Sequence, residues 1–410
     1  MIRSGLLFLV FNIVLTGCQS MKPISKRNLA YHYTSGFPLE VKSRVLQIGE
    51  EICVFTEINF RKLSAISDYR TIWDKYKIGF SIAKDYESYT YQVQDSIGLG
   101  NRVGPSINPL VLFMKFPKSQ KNGLFILSIK EKQGSESMFF DIPLREEEPG
   151  NMEACLFLKN GRHPIFNNYI LNGDTVILRN FIFGNEEPEL EFHPFTKSVA
   201  LPPMAAIPTS GNDFDQSYKV KFSPNQRTVF KEPGYYFLPS KLHENQGFGF
   251  MVMEAYFPSV SLPQELVDPM IYINTREERK NLLEASNQKL ALDQFWLKVN
   301  GQKDASRKII ERYFENVEAA NGFFSSHKAG WKTDQGMVMA IYGSPPIVYK
   351  NWDTEIWQYD KSLGGENTVF YFNRRNYVKD PNVWELKRFN EYDRVWYGVV
   401  ELWRKGVINR

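Results

Sequence analysis

Short segments that alternate apolar and polar residues, separated by turn residues, limit most strongly how this chain can fold. Residues 39–45 and 52–60 alternate with a period of two, which puts every second side chain on one face of a β-strand. Further segments of this kind lie at 77–82, 89–93, 110–116, 123–130 and 137–142. Short strands at regular spacing without intervening helices are typical of a β-sandwich. We therefore predict an immunoglobulin-like (Ig-like) β-sandwich over residues 38–148.

A second β-rich region follows over residues 149–264. Its strand-like segments are 167–170, 175–183, 190–192, 235–238 and 247–257. We interpret the region as a second Ig-like β-sandwich. Within it, Asp213 and Asp215 could indicate a calcium loop, but the spaced ligands and the terminal glutamate of such a loop do not follow. We therefore expect a turn there and no metal site.

The sequence period changes near residue 265. Thr275 and Glu278 form a capping box that opens a helix expected to run to about residue 297. A second helix begins near Asp304, and a closing helix runs from about Asn390 to Gly406. Between these helices we expect a β-meander with strands at 337–342, 354–359 and 369–372. The predicted fold is mainly β, with an α+β domain of helix–β-meander–helix type over residues 265–410.

The N-terminus has the features of an export signal. Arg3 precedes an apolar stretch, residues 5–14, that is too short to cross a bilayer. Residues 15–18 (LTGC) resemble the lipobox of bacterial lipoproteins. This resemblance implies a signal peptide over residues 1–17, and fatty acyl groups such as palmitate attached at Cys18. A conventional signal peptide whose apolar stretch ends at a cysteine is the alternative.

The resemblance to lipoproteins also implies a cellular location. Gln19 stands where an aspartate would retain such a protein at the inner membrane, and no acidic cluster follows Cys18. We predict an outer-membrane lipid anchor on the periplasmic face, with residues 18–37 as a polar tether. Cys53 and Cys155 lie on apolar segments of different predicted domains, so we expect buried free thiols rather than a disulfide.

Two runs in the C-terminal region indicate a family. Residues 330–334 read GWKTD, and residues 342–346 read YGSPP. Together they resemble the GWxTD domain of bacterial envelope proteins, whose motif is G-W-x-T-D followed by Y-G-x-P. The one departure is Ser344, where a proline is frequent. Weaker similarities extend over residues 265–410, and the ordered series makes the resemblance specific.

The motif residues can be explained by structure alone. We expect Trp331 to pin the loop against a helix, and Thr333 and Asp334 to accept hydrogen bonds from neighbouring amides just before a strand. Gly330 and Gly336 would allow unusual backbone angles, and Gly343 and Pro345 would make a rigid turn. The residues interpreted as structural in this way are Gly330, Trp331, Thr333, Asp334, Gly343 and Pro345. We assign no catalytic residue, cofactor or metal.

A catalytic alternative stays open. Asp334 could pair with Asp353 or Glu355 for glycan hydrolysis, and His327 could act as a base. However, the sequence contains no nucleophile elbow, phosphate loop or paired zinc motif. A net charge of +4 is too small to favour nucleic acid. We therefore predict a non-catalytic scaffold or accessory subunit with a protein partner in the outer membrane or periplasm. The alternative is an envelope enzyme or glycan-binding protein with a site near Trp331 and Asp334.

Overall fold

The computed structural model describes most of the chain from residue 22 onward. The described residues are 22–61, 68–120, 122–144, 154–158, 164–181, 189–206, 213–214, 216–240, 246–300, 303–360, 367–377 and 379–407. The predicted signal peptide and Cys18 lie outside them. Within the described residues no helix is long and apolar enough to cross a membrane.

The first β region forms two facing antiparallel sheets. Its elements are β1 (Leu39–Ile48), β2 (Glu51–Phe60), α1 (Arg70–Lys75), β3 (Tyr76–Ala83), β4 (Val93–Ser96), β5 (Leu110–Pro117), β6 (Leu124–Glu131) and β7 (Ser137–Pro143). One sheet has the order β1-β2-β5, and the other has the order β4-β3-β6-β7. Alternate apolar residues of both sheets, such as Ile52 and Val54 on β2 and Phe125 and Leu127 on β6, share one core. The strands predicted from the period of two are confirmed here, apart from a shift of β4 toward the C-terminus.

The second β region also has two sheets. Its strands are β8 (Ala154–Leu158), β9 (Tyr169–Leu171), β10 (Thr175–Asn180), β11 (Glu189–His193), β12 (Tyr218–Lys221), β13 (Arg227–Val229), β14 (Gly234–Pro239) and β15 (Gly247–Met253). The sheet orders are β13-β10-β8 and β12-β11-β14-β15-β9, with β9 parallel to β15. A single cluster of buried side chains joins the two sheets. Cys53 and Cys155 are buried free thiols in one apolar cluster, and burial raises the pKa of Cys155 to about 11.

The C-terminal region combines helices with a four-stranded meander. Its elements are α2 (Pro263–Val267), α3 (Arg276–Glu284), α4 (Gln288–Asn300), α5 (Lys303–Phe324), α6 (Asp334–Tyr342), β16 (Ile347–Lys350), β17 (Thr354–Tyr359), β18 (Thr368–Tyr377), β19 (Asp380–Leu386) and α7 (Tyr392–Lys405). The sheet order is β16-β17-β18-β19, and all its pairs are antiparallel. The helices and the sheet share one core. The molecule is therefore mainly β, with most of its helices near the C-terminus.

Two helix signals in this region are confirmed. The Thr275 hydroxyl accepts a hydrogen bond from the Glu278 amide at 3.2 Å, and the Glu278 carboxylate accepts one from the Thr275 amide at 2.9 Å. Gly406 ends α7 with a φ of 65°, an angle that favours glycine. The helix expected to run to residue 297 is instead two helices, because Ala285 takes an extended conformation after α3.

The strand expected at residues 337–342 is a helix, α6, so this prediction is wrong. The segment reads MVMAIY, and a short apolar run without polar interruptions has no period that distinguishes a strand from a buried helix. Residues 335–342 are all buried, so α6 is enclosed by the other elements of the core. The strand that opens the meander is β16, after the turn at Gly343.

Residues 22–37, which were expected to belong to a tether, pack against the C-terminal core. Ile24 and Leu29 are buried in that core. The Asn28 side chain accepts from the Val348 amide at 2.9 Å and donates to the Pro346 carbonyl at 3.0 Å. The Leu29 amide also donates to the Val348 carbonyl. The predicted domain boundaries stay predictions, but this segment is not a free tether, because its side chains cover the edge of β16.

Candidate functional site

The GWKTD run forms a tight turn that starts a helix. Gly330–Lys332 is a single 3-10 turn between α5 and α6, and Thr333 is the residue that caps α6. The Thr333 hydroxyl accepts from the Gly336 amide at 3.0 Å and donates to the Gly330 carbonyl at 2.7 Å. A threonine suits this position because its side chain satisfies an amide that the helix leaves unpaired. Thr333 is an acceptor as expected, but before a helix and not a strand.

The two motif glycines allow backbones to touch. A Cβ added at Gly330 would lie 1.9 Å from the Ala320 carbonyl oxygen of α5, and one at Gly336 would lie 1.8 Å from the Gly330 carbonyl oxygen. Neither glycine has a positive φ, so the prediction that they supply unusual backbone angles is wrong. Their role is close packing of α5, the turn and α6. Any side chain at either position would push these backbones apart.

The turn after α6 agrees better with the sequence analysis. Gly343 has a φ of 71°, which favours glycine. Its carbonyl accepts from the Tyr359 hydroxyl at 2.8 Å. Pro345 is buried just before β16. These contacts fix the direction in which the chain enters the meander.

Trp331 lies inside the core and is only 6% exposed. Its amide donates to the Asn321 side chain at 3.3 Å, and its carbonyl accepts from the Tyr272 hydroxyl at 3.1 Å. The rings of Trp331 and Tyr272 meet edge to face with centroids 6.2 Å apart. The next residue, Lys332, exchanges hydrogen bonds with the extended segment at Thr196 and Ala200. Trp331 therefore holds the turn against its neighbours, as predicted.

Asp334 is neutralised by an arginine far along the chain. Its Oδ1 accepts from Nη2 of Arg388 at 2.6 Å, and its Oδ2 accepts from Nη1 of Arg388 at 3.0 Å. Oδ2 also accepts from the Leu386 amide at 2.7 Å. The side chains of Asp334 and Arg388 are 10% and 11% exposed. The expectation of neighbouring amides is wrong, because this carboxylate joins the start of α6 to the end of β19.

Arg388 extends this connection to a third segment. Its Nη2 also donates to the Leu201 carbonyl at 3.1 Å, and the Phe389 amide donates to the Pro203 carbonyl. The extended segment around Leu201 comes from the second β region. One bidentate ion pair thus ties together a helix start, a strand end and a crossing loop.

Glu355 has partners of its own. It is fully buried on β17 and accepts from Nε1 of Trp357 at 2.7 Å and Nε2 of Gln335 at 3.3 Å. Burial raises the pKa of Glu355, although the nearby Lys350 opposes the rise. Asp353 is exposed at the turn before β17. The structure therefore gives Asp334 and Glu355 separate sets of partners in the interior, whereas glycoside hydrolysis needs two carboxyl groups facing one cleft.

His327 and Asp213 form a second polar cluster close to the motif. His327 is buried, and its Nε2 lies 2.8 Å from Oδ2 of Asp213, which Lys328 also contacts at 3.1 Å. Burial would raise the pKa of Asp213, but His327, Lys328 and Ser198 hold it far below its usual range. Asn212 and Asp215 lie outside the described residues. No group of three or more metal-ligating side chains occurs in the part of the chain that the structure describes.

Three contacts of this site could not be read from the sequence. Arg388 and Asp213 carried no local signal for their partners, because each meets its counterpart more than fifty residues away. Asn321 lies ten residues before Trp331, and the hydrogen bond that it accepts from the Trp331 amide left no local signal.

A comparison with known families matches the region that contains the motif. The family model of the GWxTD domain matches residues 234–405. The match includes Gly330, Trp331, Thr333 and Asp334, and it begins at β14 rather than at residue 265. The chain therefore carries a GWxTD domain, which includes the last two strands of the second β region. A comparison with curated proteins found no match.

Proposed function

We propose that this protein is a non-catalytic scaffold or accessory subunit of an envelope assembly. The observation that carries the proposal is the use of Asp334, the acidic residue of the motif, as an internal tie. Both of its oxygens accept hydrogen bonds from Arg388 or Leu386. A carboxylate whose two oxygens are both occupied by an arginine and a backbone amide has neither oxygen directed at a ligand. The GWxTD motif thus serves to join segments of the domain.

The catalytic and glycan-binding alternative has less support. The ring of Trp331 is buried, so it presents no face on which a sugar could stack. The carboxylates of Asp334 and Glu355 face the interior with separate partners. A binding site is normally concave, with polar groups that converge on a ligand. The motif offers no such arrangement among the described residues.

We further propose that the chain is an outer-membrane lipoprotein on the periplasmic side, with the signal peptide removed before Cys18. The support is the resemblance of residues 15–18 to a lipobox and the short separation in sequence between Cys18 and the packed segment at Ile24. Ile24 is buried six residues after Cys18, and an extended chain spans at most about 3.6 Å per residue. A lipid on Cys18 would therefore hold the folded body within roughly 20 Å of the bilayer surface.

The Ig-like character of the two β regions is also a proposal. In the first region the order β1-β2-β5 faces the order β4-β3-β6-β7. This distribution of seven strands over two antiparallel sheets resembles that of Ig-like sandwiches. The second region departs from it, because β9 adds to β15 in parallel.

The experiment that tests the scaffold role is affinity purification of the intact protein from detergent-solubilised membranes. We expect a protein partner to copurify in a fixed ratio, and Cys18→Ser to lose both palmitate labelling and membrane association. Asp334→Asn should reduce partner recovery only in proportion to the loss of folded protein. Hydrolysis of cell-wall glycan strands by the purified protein would contradict the proposal if Asp334→Asn abolished it without reducing stability.

A further inference from the structure

A cleft of about 1110 Å³ opens where the two β regions meet the GWxTD domain. It is lined by an unbroken run of β1, residues 39–45, and by one face of α5. The α5 residues recur at helical spacing, as Arg312, Asn316, Ala319 and Phe323 do. The cleft therefore has the backbone of a strand on one side and the side chains of a helix on another.

The strand in this cleft has an unpaired edge. β1 pairs with β2 from Leu39 to Ile48 and is the outermost strand of its sheet. In an antiparallel pair every second residue turns its N–H and C=O away from the partner strand. Throughout the described residues, no backbone group of residues 39–48 bonds to anything on that outer side. β1 is thus a ready template for another extended chain.

Other strand edges nearby are covered, which makes the open edge of β1 informative. The Tyr31 hydroxyl donates to the Phe139 carbonyl and accepts from the Phe139 amide, so it occupies the edge of β7. Asn28 does the same for β16. Folded proteins block exposed edges in this way because unpaired edges promote aggregation. Within the described residues the outer edge of β1 is open, and residues 39–45 of this strand line the cleft.

Arg44 makes the cleft more favourable for a negatively charged ligand. Its Nε donates to the Ile165 carbonyl at 3.1 Å, and its Nη2 donates to the Asn167 carbonyl at 2.8 Å and to Asn168 Oδ1 at 2.7 Å. All three acceptors are neutral. Among the described residues Arg44 has no carboxylate partner, and its Nη1 donates to none of them. A half-buried guanidinium without a counter-charge favours an incoming anion.

Most of the other charged residues that line the cleft have ionic partners, and Glu318 accepts a hydrogen bond from the Val260 amide at 3.2 Å. Glu40 pairs with Lys42 at 3.1 Å and with Arg61 at 2.7 Å. Arg312 pairs with Glu315 at 3.4 Å. Arg44 is therefore the lining arginine that a carboxylate from outside would neutralise. Because Arg44 lies on β1 itself, that carboxylate would belong to a chain aligned with the strand.

We propose that the outer edge of β1 binds an extended acidic peptide segment of a partner protein, which adds a strand to the sheet and presents a carboxylate to Arg44. Main-chain hydrogen bonds to an open edge supply affinity, and pockets for alternate side chains supply specificity. The α5 face would contact the side chains that point away from the sheet. This inference deepens the scaffold proposal by naming the class of partner, and it needs no assumption about the membrane.

The probe is a pool of acetylated, amidated octapeptides that are randomised at alternate positions and carry one central Asp. Eight extended residues span roughly 27 Å, which is enough to cover the seven residues of β1 that line the cleft. A second pool with Asn in place of Asp is the matched control. Binding to the full chain is measured by enrichment and fluorescence anisotropy, and the site is mapped by amide hydrogen exchange.

A pair of glycine variants tests the location. Gly322 on α5 lines the cleft, and Gly398 on α7 does not; a Cβ at either position meets no atom within 4 Å. Gly322→Trp should fill the cleft and weaken binding at least tenfold, whereas Gly398→Trp should leave it unchanged. The Asn pool should bind roughly tenfold more weakly, because it loses a charged hydrogen bond. The amides of residues 39–45 should become protected when the Asp peptide binds.

Three results would overturn the inference. The first is equal recovery from the Asp and Asn pools, including no recovery from either. The second is binding that leaves residues 39–45 unprotected or is indifferent to Gly322→Trp. The third is protection of β1 that rises with protein concentration alone, which would assign the edge to a second copy of this chain. None of these results bears on copurification of a partner, so the scaffold role and the peptide site can fail separately.

Discussion

Two polar regions, one inside the GWxTD domain and one at its border with the N-terminal segment and β7, hold buried charge differently. The first is the motif tie, in which Asp334 meets Arg388 directly at 2.6 Å. The second is the junction, which we define as His32, Asp141, Lys350 and Glu355. In the junction the Asp141 side chain is fully buried, and Lys350 contacts it at 2.9 Å. The Asp334–Arg388 pair of the motif tie connects α6 to the end of β19, while the junction joins the N-terminal segment and β7 to β16 and β17.

The acids of the junction have opposite pKa shifts. Burial would raise the pKa of Asp141, but Lys350 and His32 outweigh burial and lower it. Burial raises the pKa of Glu355, although Lys350 and hydrogen bonds from the neutral donors Trp357 and Tyr33 oppose the rise. One lysine thus stabilises one carboxylate and leaves the other partly uncompensated. The comparison teaches that the motif tie should contribute stability through packing and one ion pair, whereas the junction should respond to pH.

Replacing Trp331 should have the largest effect. Trp331→Ala removes a buried indole and should lower the free energy of unfolding by about 3–5 kcal/mol. Urea denaturation followed by circular dichroism measures the loss. The control is Tyr397→Ala, because Tyr397 is 52% exposed and its loss should change stability by less than about 0.5 kcal/mol. Equal effects of the two substitutions would show that Trp331 does not anchor the turn.

Breaking the motif ion pair should cause the second largest loss of stability. Asp334→Ala leaves Arg388 buried without its carboxylate and should cost about 3 kcal/mol. The double variant Asp334→Ala/Arg388→Met should recover part of that loss, because it removes the stranded charge. The same denaturation experiment measures the wild type, Asp334→Ala, Arg388→Met and the double variant. Strictly additive losses would mean that the two side chains do not stabilise each other.

The contribution of the junction to folding stability should depend on pH. Because the pKa of Asp141 is lowered in the folded state, its contribution is present above the unfolded value of about 3.9 and is lost as the pH falls through the folded value. Asp141→Asn should therefore be less stable than the wild type by about 2 kcal/mol at pH 7. The difference should shrink in acid. Thermal melting from pH 3 to pH 8 checks this, and a constant difference would contradict it.

The smallest expected effect is a gain of stability, and it should follow from Glu355→Gln. Because the pKa of Glu355 is raised in the folded state, the folded protein favours its protonated form and loses stability as the pH rises above about 4.3. Glu355→Gln imitates the protonated group, so it should gain on the order of 1 kcal/mol at pH 7 and nothing near pH 4. The exposed Asp353→Asn serves as the control in the same melting series. A loss at pH 7 would mean that Glu355 is stabilising as a charge.

Part of the site could be predicted from the sequence. The size of Trp331 indicated burial, and the position of Thr333 indicated an acceptor for backbone amides. The partner of Asp334 could not be predicted, because Arg388 lies 54 residues away and any of several cations could have met it. The glycines were singled out for the wrong reason, since close approach of backbones depends on which elements pack together. Which elements pack against each other cannot be predicted from the sequence of the motif alone.

The sequence by itself determined the features that depend on neighbours along the chain. The period of two placed the strands of the first β region, the Thr275 capping box opened α3, and Gly406 ended α7, because side-chain direction and end-group hydrogen bonds are local properties. The tertiary structure alone decided that residues 337–342 form a buried helix and that residues 22–37 pack against β16. It also decided that the edge of β1 opens into a cleft beside Arg44. These outcomes depend on contacts between distant segments, and such contacts leave no periodic trace in the sequence.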